Sequence, residues 1–240
     1  MIKLDVLALG AHPDDVEMSC AGTLLAAAAG GRKIGIVDFT RGELGTRGTP
    51  AIRAAEAAAA AAVLGLSARA NLGLPDGFFR NEREHQLPLI QALRRYQPDV
   101  VLANAIHDRH PDHGRAAELA RDACWLAGLR MIETLDEDGQ PQQPWRPRNL
   151  YHYIQDQYIT PAFVVDITAH WPKKLASILA YRSQFFNPES QEPETYLTSQ
   201  VFSQFLEARG RDLGHLIGAE YGEGFTVHRP VGVRGVGELL

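Results

Sequence analysis

Cysteine is nearly absent from this chain of 240 residues: Cys20 and Cys124 stand far apart, with no CxxC between them. That spacing suggests neither a disulfide framework nor a thiolate metal knuckle, and it makes a reducing cytoplasm the expected setting. Basic tracts are also missing, and nothing local offsets the net charge of −5, which argues against a nucleic-acid partner. No charged-then-apolar leader opens the sequence, and no uninterrupted apolar run reaches membrane-spanning length. The Ala-rich stretch Ala54–Leu64 is interrupted by Glu56 and reads as a packed helix. Although Gly10 follows an apolar run, there is no GxGxxG, and His-Pro-Asp-Asp would repel a pyrophosphate, so a dinucleotide-binding loop is excluded.

What is present is an ordinary globular composition, 45% apolar and 22% charged, in a length that buries roughly 70–75% of its extended-chain surface. Apolar runs ending in polar residues alternate with amphipathic or small-residue segments. Strands are expected at Val6–Leu9, Lys33–Thr40, Ala70–Leu74, Asp99–Asn104, Leu150–Ile154 and Phe163–Ile167. Helices are expected at Val16–Ala29, from Pro50 to Gly65 with Thr49 as cap, and at Glu84–Tyr96. Further helices follow at Gly114–Ala127 with Asp112 as cap, His170–Arg182 and Glu194–Arg211. Arg41–Thr49 and the Pro-rich Asp136–Arg148 are loops, Asn187–Pro193 is a polar turn, and the Gly/Val-rich tail from Val227 carries no pattern. Without an internal repeat or a linker, one domain over residues 1–240 is expected. The alternation itself makes an α/β fold, a parallel sheet flanked by helices.

In such sheets the chemistry gathers beyond the carboxyl ends of the strands. Two polar clusters fall there: His12, Asp14, Asp15 and Glu17 after the first strand, and His107–His113 after the fourth. An imidazole and a carboxylate three residues apart across a turn can bind one side of a metal, with Asp14 free beside them. His113 or His110 could supply a third ligand. Two histidines and one carboxylate suit zinc with an open position for water, and equally a non-haem iron(II) site. Arg47, Arg53 and Arg109 lie on loops or helix starts at the same edge, as an anion-binding group would. Cys20 and Tyr196 read as packing residues. His85, His152, His170, His215 and His228 have no partner pattern and read as surface or structural.

The first motif, GAHPDDVE, together with HPDH downstream, resembles the LmbE-like, or PIG-L, superfamily of metal-dependent N-deacetylases. The likeness extends through DFTRGELGTRGT, IRAAEA, LGLPDG, HDRHPDH, YRSQF and GEGF, and is similar to the bacillithiol-pathway branch, which deacetylates N-acetylglucosaminyl malate. The resemblance implies a Rossmann-like three-layer sandwich, a small-molecule sugar conjugate as partner, and a homo-oligomer such as a hexamer. It implies His12, Asp15 and His113 as ligands of Zn2+, with Fe2+ or another divalent ion as alternatives. It further implies Asp14 as general base, His110 as cationic stabiliser of the tetrahedral intermediate, and Asp112 as the group orienting His110. Arg53, Arg109 and Tyr196 fall where that branch lines its substrate pocket. Rival expectations are a deacetylase or amidase of another N-acetylglucosamine conjugate, mycothiol-type or chito-oligosaccharide, and a metal-dependent sugar-binding protein without turnover.

Overall fold

The computed structural model describes residues 2–185, 187, 189–233, 235 and 237. The polar turn expected at Asn187–Pro193 and the Val227 tail therefore fall partly outside the described residues. The elements are β1 (Val6–Gly10), α1 (Asp15–Ser19), α2 (Ala21–Ala29), β2 (Ile34–Asp38), α3 (Pro50–Leu64), β3 (Ala68–Asn71) and α4 (Arg83–Tyr96). There follow β4 (Val100–Ala103), α5 (Pro111–Leu126), β5 (Asn149–Tyr153), β6 (Phe163–Asp166), α6 (Trp171–Leu179), α7 (Gln200–His215) and β7 (Gly222–Val227). Seven strands form one sheet in the order β3-β2-β1-β4-β5-β7-β6. The first five are parallel, and β7 runs antiparallel between β5 and β6. The fold is thus the α/β architecture expected, a mostly parallel sheet flanked by helices.

β1 and β2 are almost wholly buried, so their side chains serve both faces. Leu7 and Leu9 enter a core with Leu89, Leu93 and Leu119 from α4 and α5, whereas Ala8 joins Val16, Leu24 and Ile36 on the opposite face. The chain runs outward from β1 through β2 to β3, then returns to place β4 on the other side of β1. That reversal opens a crevice at the carboxyl ends of β1 and β4, where ligands bind in open sheets. The sequence places both polar clusters there.

Several boundaries differ from expectation, each for a tertiary reason. The first helix is broken at Cys20 (φ −144°, ψ 14°). The Glu223 carboxylate from β7 caps the break, accepting from Gly22 N at 2.9 Å and Thr23 N at 2.6 Å, and it is paired with buried Lys174 at 2.5 Å. β7 was not expected, because glycines within a strand weaken its pattern. They are there for clearance: a Cβ on Gly222 would come within 2.7 Å of Gly214 N in α7. β3 starts earlier than expected because Arg69, a charged residue, points into a buried network with Asp38 (2.8 Å), Glu17 (2.6 Å) and Tyr181 (2.8 Å). α5 is capped by His110 rather than Asp112, with Asp112 N donating to His110 Nδ1 at 3.2 Å. α7 begins at Gln200, where Ser199 Oγ accepts from Phe202 N. Thr49 caps α3 as expected, accepting from Ile52 N at 3.2 Å. Among the described residues, no helix is long and apolar enough to cross a membrane.

On β5, His152 is buried, with Nδ1 at 2.8 Å from the Asn104 carbonyl and Nε2 at 2.9 Å from His228 Nε2. The carbonyl can only accept, so His152 Nδ1 carries the hydrogen and its Nε2 accepts from His228. Burial holds the His152 pKa down at about 4, and His228 and Arg121 act in the same sense. An unfolded histidine titrates near 6.5, so the unfolded chain takes up the extra proton first and stability falls as pH drops from there toward 4. Between about pH 7 and about pH 5 this group should remove about 2 kcal/mol. Chemical denaturation at the two pH values should show that loss in the wild type and a smaller one in His152→Gln; equal losses would mean His152 is not the sensitive group.

Candidate active site

The loop after β1 is built around one uncommon backbone conformation. Asp14 has φ 111°, in the left-handed region that non-glycine residues seldom occupy and that costs of order 1–3 kcal/mol. Among the contacts that hold the turn, His12 N donates to Asp15 Oδ2 at 3.0 Å, and Ala11 N donates to Asn104 Oδ1 at 3.0 Å. Asp14 and Asp15 are both almost fully buried, so each carboxylate requires partners.

His12 is held along both edges of its ring. Nε2 lies 3.0 Å from Asp76 and 3.3 Å from Asp112, whereas Nδ1 faces Asp15 Oδ2 at 3.6 Å. His113 repeats the plan, with Nδ1 at 2.5 Å from Asp108 and Nε2 at 3.1 Å from Asp15 Oδ1. Outer nitrogens gripped by carboxylates, and inner nitrogens converging on a third carboxylate, are the arrangement of metal-ligating histidines with their orienting partners. The donor set of His12, Asp15 and His113 therefore fits a divalent cation, and His110 has a ring nitrogen within 4.8 Å of those of His12 and His113. His12, Asp76 and Asp112 also cluster, but those two carboxylates already accept from Leu44 N and Gly77 N at 2.9 Å each, which marks them as braces. The surroundings of the two imidazoles favour their charged form. Burial opposes it, yet the surrounding carboxylates hold His113 up at about 9 and His12 well above its ordinary value.

Asp14 stands apart from this set. Among the described residues its one side-chain partner is Arg53, at 3.0 Å. Burial pushes its pKa up to about 7 against the pull of that guanidinium, and a cation nearby would draw it lower. At His110, Nδ1 accepts from Asp112 N at 3.2 Å, which places a ring hydrogen on Nε2, and burial, with His12 and His113 beside it, pushes its pKa down. Asp112 does not orient His110 through its carboxylate. That group reaches His12, Gly77 N and Arg115 (2.6 Å), and only its backbone N–H touches His110.

His12, Asp14, Asp15, His110 and His113 line a cavity of about 270 Å³ together with Met18, Leu44, Gly45, Gly77, Gln184 and Leu197. Of the expected anion-binding arginines, Arg53 lines it, with its terminal nitrogens on Asp14, Pro13 O (2.5 Å) and Gly42 O (3.3 Å). Arg47 does not reach the cavity. It is buried against the segment beyond α6, bonded to Glu192 at 3.2 Å and to Ser190, while its carbonyl accepts from Gln184 at 2.8 Å. Arg109 does line the cavity, half exposed, paired with Asp156 at 2.9 Å and lying 4.3 Å over the Tyr196 ring. Tyr196 is more than a packing residue: its hydroxyl donates to Asp156 at 2.9 Å, completing a trio with Arg109, although the ring itself is not part of the cavity wall. His107 and His215 are exposed and outside the site.

Sequence reasoning did not single out Asp76, Asp108, Asn104 or Gln155. Asp76 and Asp108 were legible in principle, since both sit in polar turns just beyond strands β3 and β4, within LGLPDG and HDRHPDH. Gln155 follows a strand with nothing beside it to mark it.

Comparisons with known proteins show what the chain is similar to. Residues 7–124 match the family described as PIG-L: GlcNAc-PI de-N-acetylase. A 1D-myo-inositol 2-acetamido-2-deoxy-alpha-D-glucopyranoside deacetylase from Nakamurella multipartita is 35% identical over 155 residues, covering 56% of this chain and 48% of the relative. The chain thus spans about half the length of that curated relative. The conserved protein TT1542 from Thermus thermophilus superposes with TM-score 0.83 at 41% identity, covering 97% of this chain and 98% of the other. The N,N'-diacetylchitobiose deacetylase from Pyrococcus horikoshii superposes with TM-score 0.77 at 28% identity, covering 92% of this chain and 82% of the other.

Arg47→Ala should free the segment around Glu192 without altering which substrates are preferred. Loss of a charged hydrogen bond of about 1.5–3 kcal/mol makes local opening roughly tenfold or more frequent. Limited proteolysis should cut that segment correspondingly faster; an unchanged cleavage rate would deny Arg47 the tethering role.

Proposed function

We propose, from the match of residues 7–124 to the PIG-L family and the likeness to two deacetylases, that the chain is a PIG-L/LmbE-like deacetylase that releases acetate from an N-acetylglucosamine conjugate. The observation that carries this reading is the pairing of a converged His12–Asp15–His113 set with a separate buried carboxylate, Asp14, beside the same cavity. A mere sugar-binding protein has no use for that second carboxylate.

In this reading His12, Asp15 and His113 hold the cation, zinc or iron(II). When bound, such an ion supplies Lewis acidity and makes hydroxide available near neutral pH. Asp14 takes the proton from water as attack on the acetyl carbonyl begins, the general-base role open to a carboxylate that faces the cavity from outside the cation's ligand set. Arg53 holds Asp14 in place and keeps part of its charge in this dry setting. His110, with Nδ1 occupied by Asp112 N, presents Nε2–H to the carbonyl oxygen as negative charge develops there. Asp14 then returns the proton to the departing amine, so that acetate and a free glucosamine leave. A cytoplasmic setting belongs to the same reading, since Cys20 and Cys124 are both free.

Among conjugates, N-acetylglucosaminyl malate is the substrate we favour, with the inositol conjugates and chito-oligosaccharides as alternatives. With Arg47 and Arg53 engaged elsewhere, support for malate rests on Arg109 at the cavity mouth and on the motifs. Purified protein supplied with metal should release acetate from N-acetylglucosaminyl malate faster than from plain N-acetylglucosamine. Arg109→Ala should shrink that preference by one to two decades, as a charged hydrogen bond of about 1.5–3 kcal/mol allows. Equal rates on both substrates would remove malate and leave the deacetylase chemistry. Acetate release from none of these conjugates would remove the function.

Asp14→Asn and His113→Ala should separate the two halves of the site. The first should keep its metal and lose roughly 10²–10⁴ in kcat, while the second should lose bound metal by elemental analysis. Full metal occupancy in His113→Ala, or near-normal turnover in Asp14→Asn, would reassign that residue.

A further inference from the structure

Behind Asp15 lies a pair of buried side-chain amides that have no part in the chemistry proposed above. Asn104, at the end of β4, donates from Nδ2 to Asp15 Oδ2 at 3.0 Å and to Gln155 Oε1 at 3.0 Å. Gln155, just past β5, donates from Nε2 to Asp15 Oδ1 at 3.2 Å and lies 3.4 Å from His113 Nε2. Backbone groups decide which end of each amide faces the site. Ala11 N donates to Asn104 Oδ1 at 3.0 Å and Ala105 N donates to Gln155 Oε1 at 3.1 Å, so both oxygens are turned away and both nitrogens must face Asp15. The amides are themselves anchored: His152 donates to the Asn104 carbonyl at 2.8 Å, and Arg209 bonds the Gln155 carbonyl.

Each oxygen of Asp15 is therefore held by a neutral donor, and the NH2 group of Gln155 sits between Asp15 and His113. We propose that Asn104 and Gln155 are positioning residues, an amide pair that fixes the plane of the Asp15 carboxylate and its spacing from His113 for cation binding. The inference rests on the metal centre proposed above and adds to it the residues that set its geometry. Neutrality matters here. A carboxylate in place of Gln155 would join the cation as a further anionic ligand and lower its electrophilicity, whereas an amide orients Asp15 without adding charge.

Metal binding without substrate tests this. Gln155→Met keeps the volume and removes the hydrogen bonds, and should weaken zinc affinity by about 10–100-fold in competition with a chromophoric chelator. It should also shift the visible absorption of the cobalt(II)-loaded protein, which a residue serving only stability would leave alone. Gln155→Glu keeps the acceptor for Asn104 and Ala105 and changes only the end that faces Asp15, so it serves if the first variant does not fold. Its cobalt(II) spectrum should gain the signature of an added oxygen ligand. A folded Gln155→Met with wild-type zinc affinity, or a Gln155→Glu with an unaltered cobalt(II) spectrum, would overturn the proposal and leave the deacetylase reading standing. A wild-type chain that binds no divalent metal would overturn both.

Discussion

A single constraint governs the region: Asp15 must remain ionised where almost no water reaches it. Burying a lone carboxylate is costly, and the structure answers with donors from every side. The His12 backbone, two amides and two imidazoles all converge on its two oxygens. The cost propagates outward. Each imidazole drawn toward Asp15 needs its own carboxylate behind it, and each of those needs a further donor, Gly77 N for Asp112 and Gln157 N for Asp108. The turns after β1, β3, β4 and β5 are thereby linked through polar contacts as well as through apolar packing.

Asp14 shows the opposite solution at the next residue. It has one cation, Arg53, and a backbone held in a conformation that most side chains avoid. Strain of this kind persists only where surrounding contacts enforce it. Here it separates two adjacent carboxylates so that one faces the imidazoles and the other faces the guanidinium. Gly42 completes the arrangement: a Cβ there would fall on the Arg53 guanidinium, so the loop after β2 must carry glycine at that point. The result is two neighbouring acids of unlike character, one pulled well below the ordinary carboxylate range by its imidazoles and one pushed up to about 7 by burial.

The sheet's parallel half was legible because its strands are continuous apolar runs, and the two histidine clusters were legible because polar residues crowd their carboxyl ends. The features that escaped share one cause, long-range compensation. Arg69 hides a strand because Asp38, Glu17 and Tyr181 neutralise it from distant segments. Gly222 and Gly224 hide β7 because they answer to the closeness of α7, which no local pattern records. Arg47 and Arg53 stand at the expected edge, yet the sequence does not show that Glu192 and Asp14 already claim them. Asp112 was assigned a plausible partner two residues away, whereas its carboxylate serves His12 one hundred positions earlier.

Glu223 closes a contact across 201 residues with α2, which follows the first polar cluster. Loop closure of that span makes it a late event in folding, and during synthesis it waits until β7 has left the ribosome. Until then α2 begins with open N–H groups, Lys174 lacks its counter-charge, and β5 has a bare edge. The turn carrying His12, Asp14 and Asp15 leaves the ribosome well ahead of the residue that secures the helix behind it. A chain truncated before Glu223 would hold nearly all the residues of the site without the clasp that closes the fold around them.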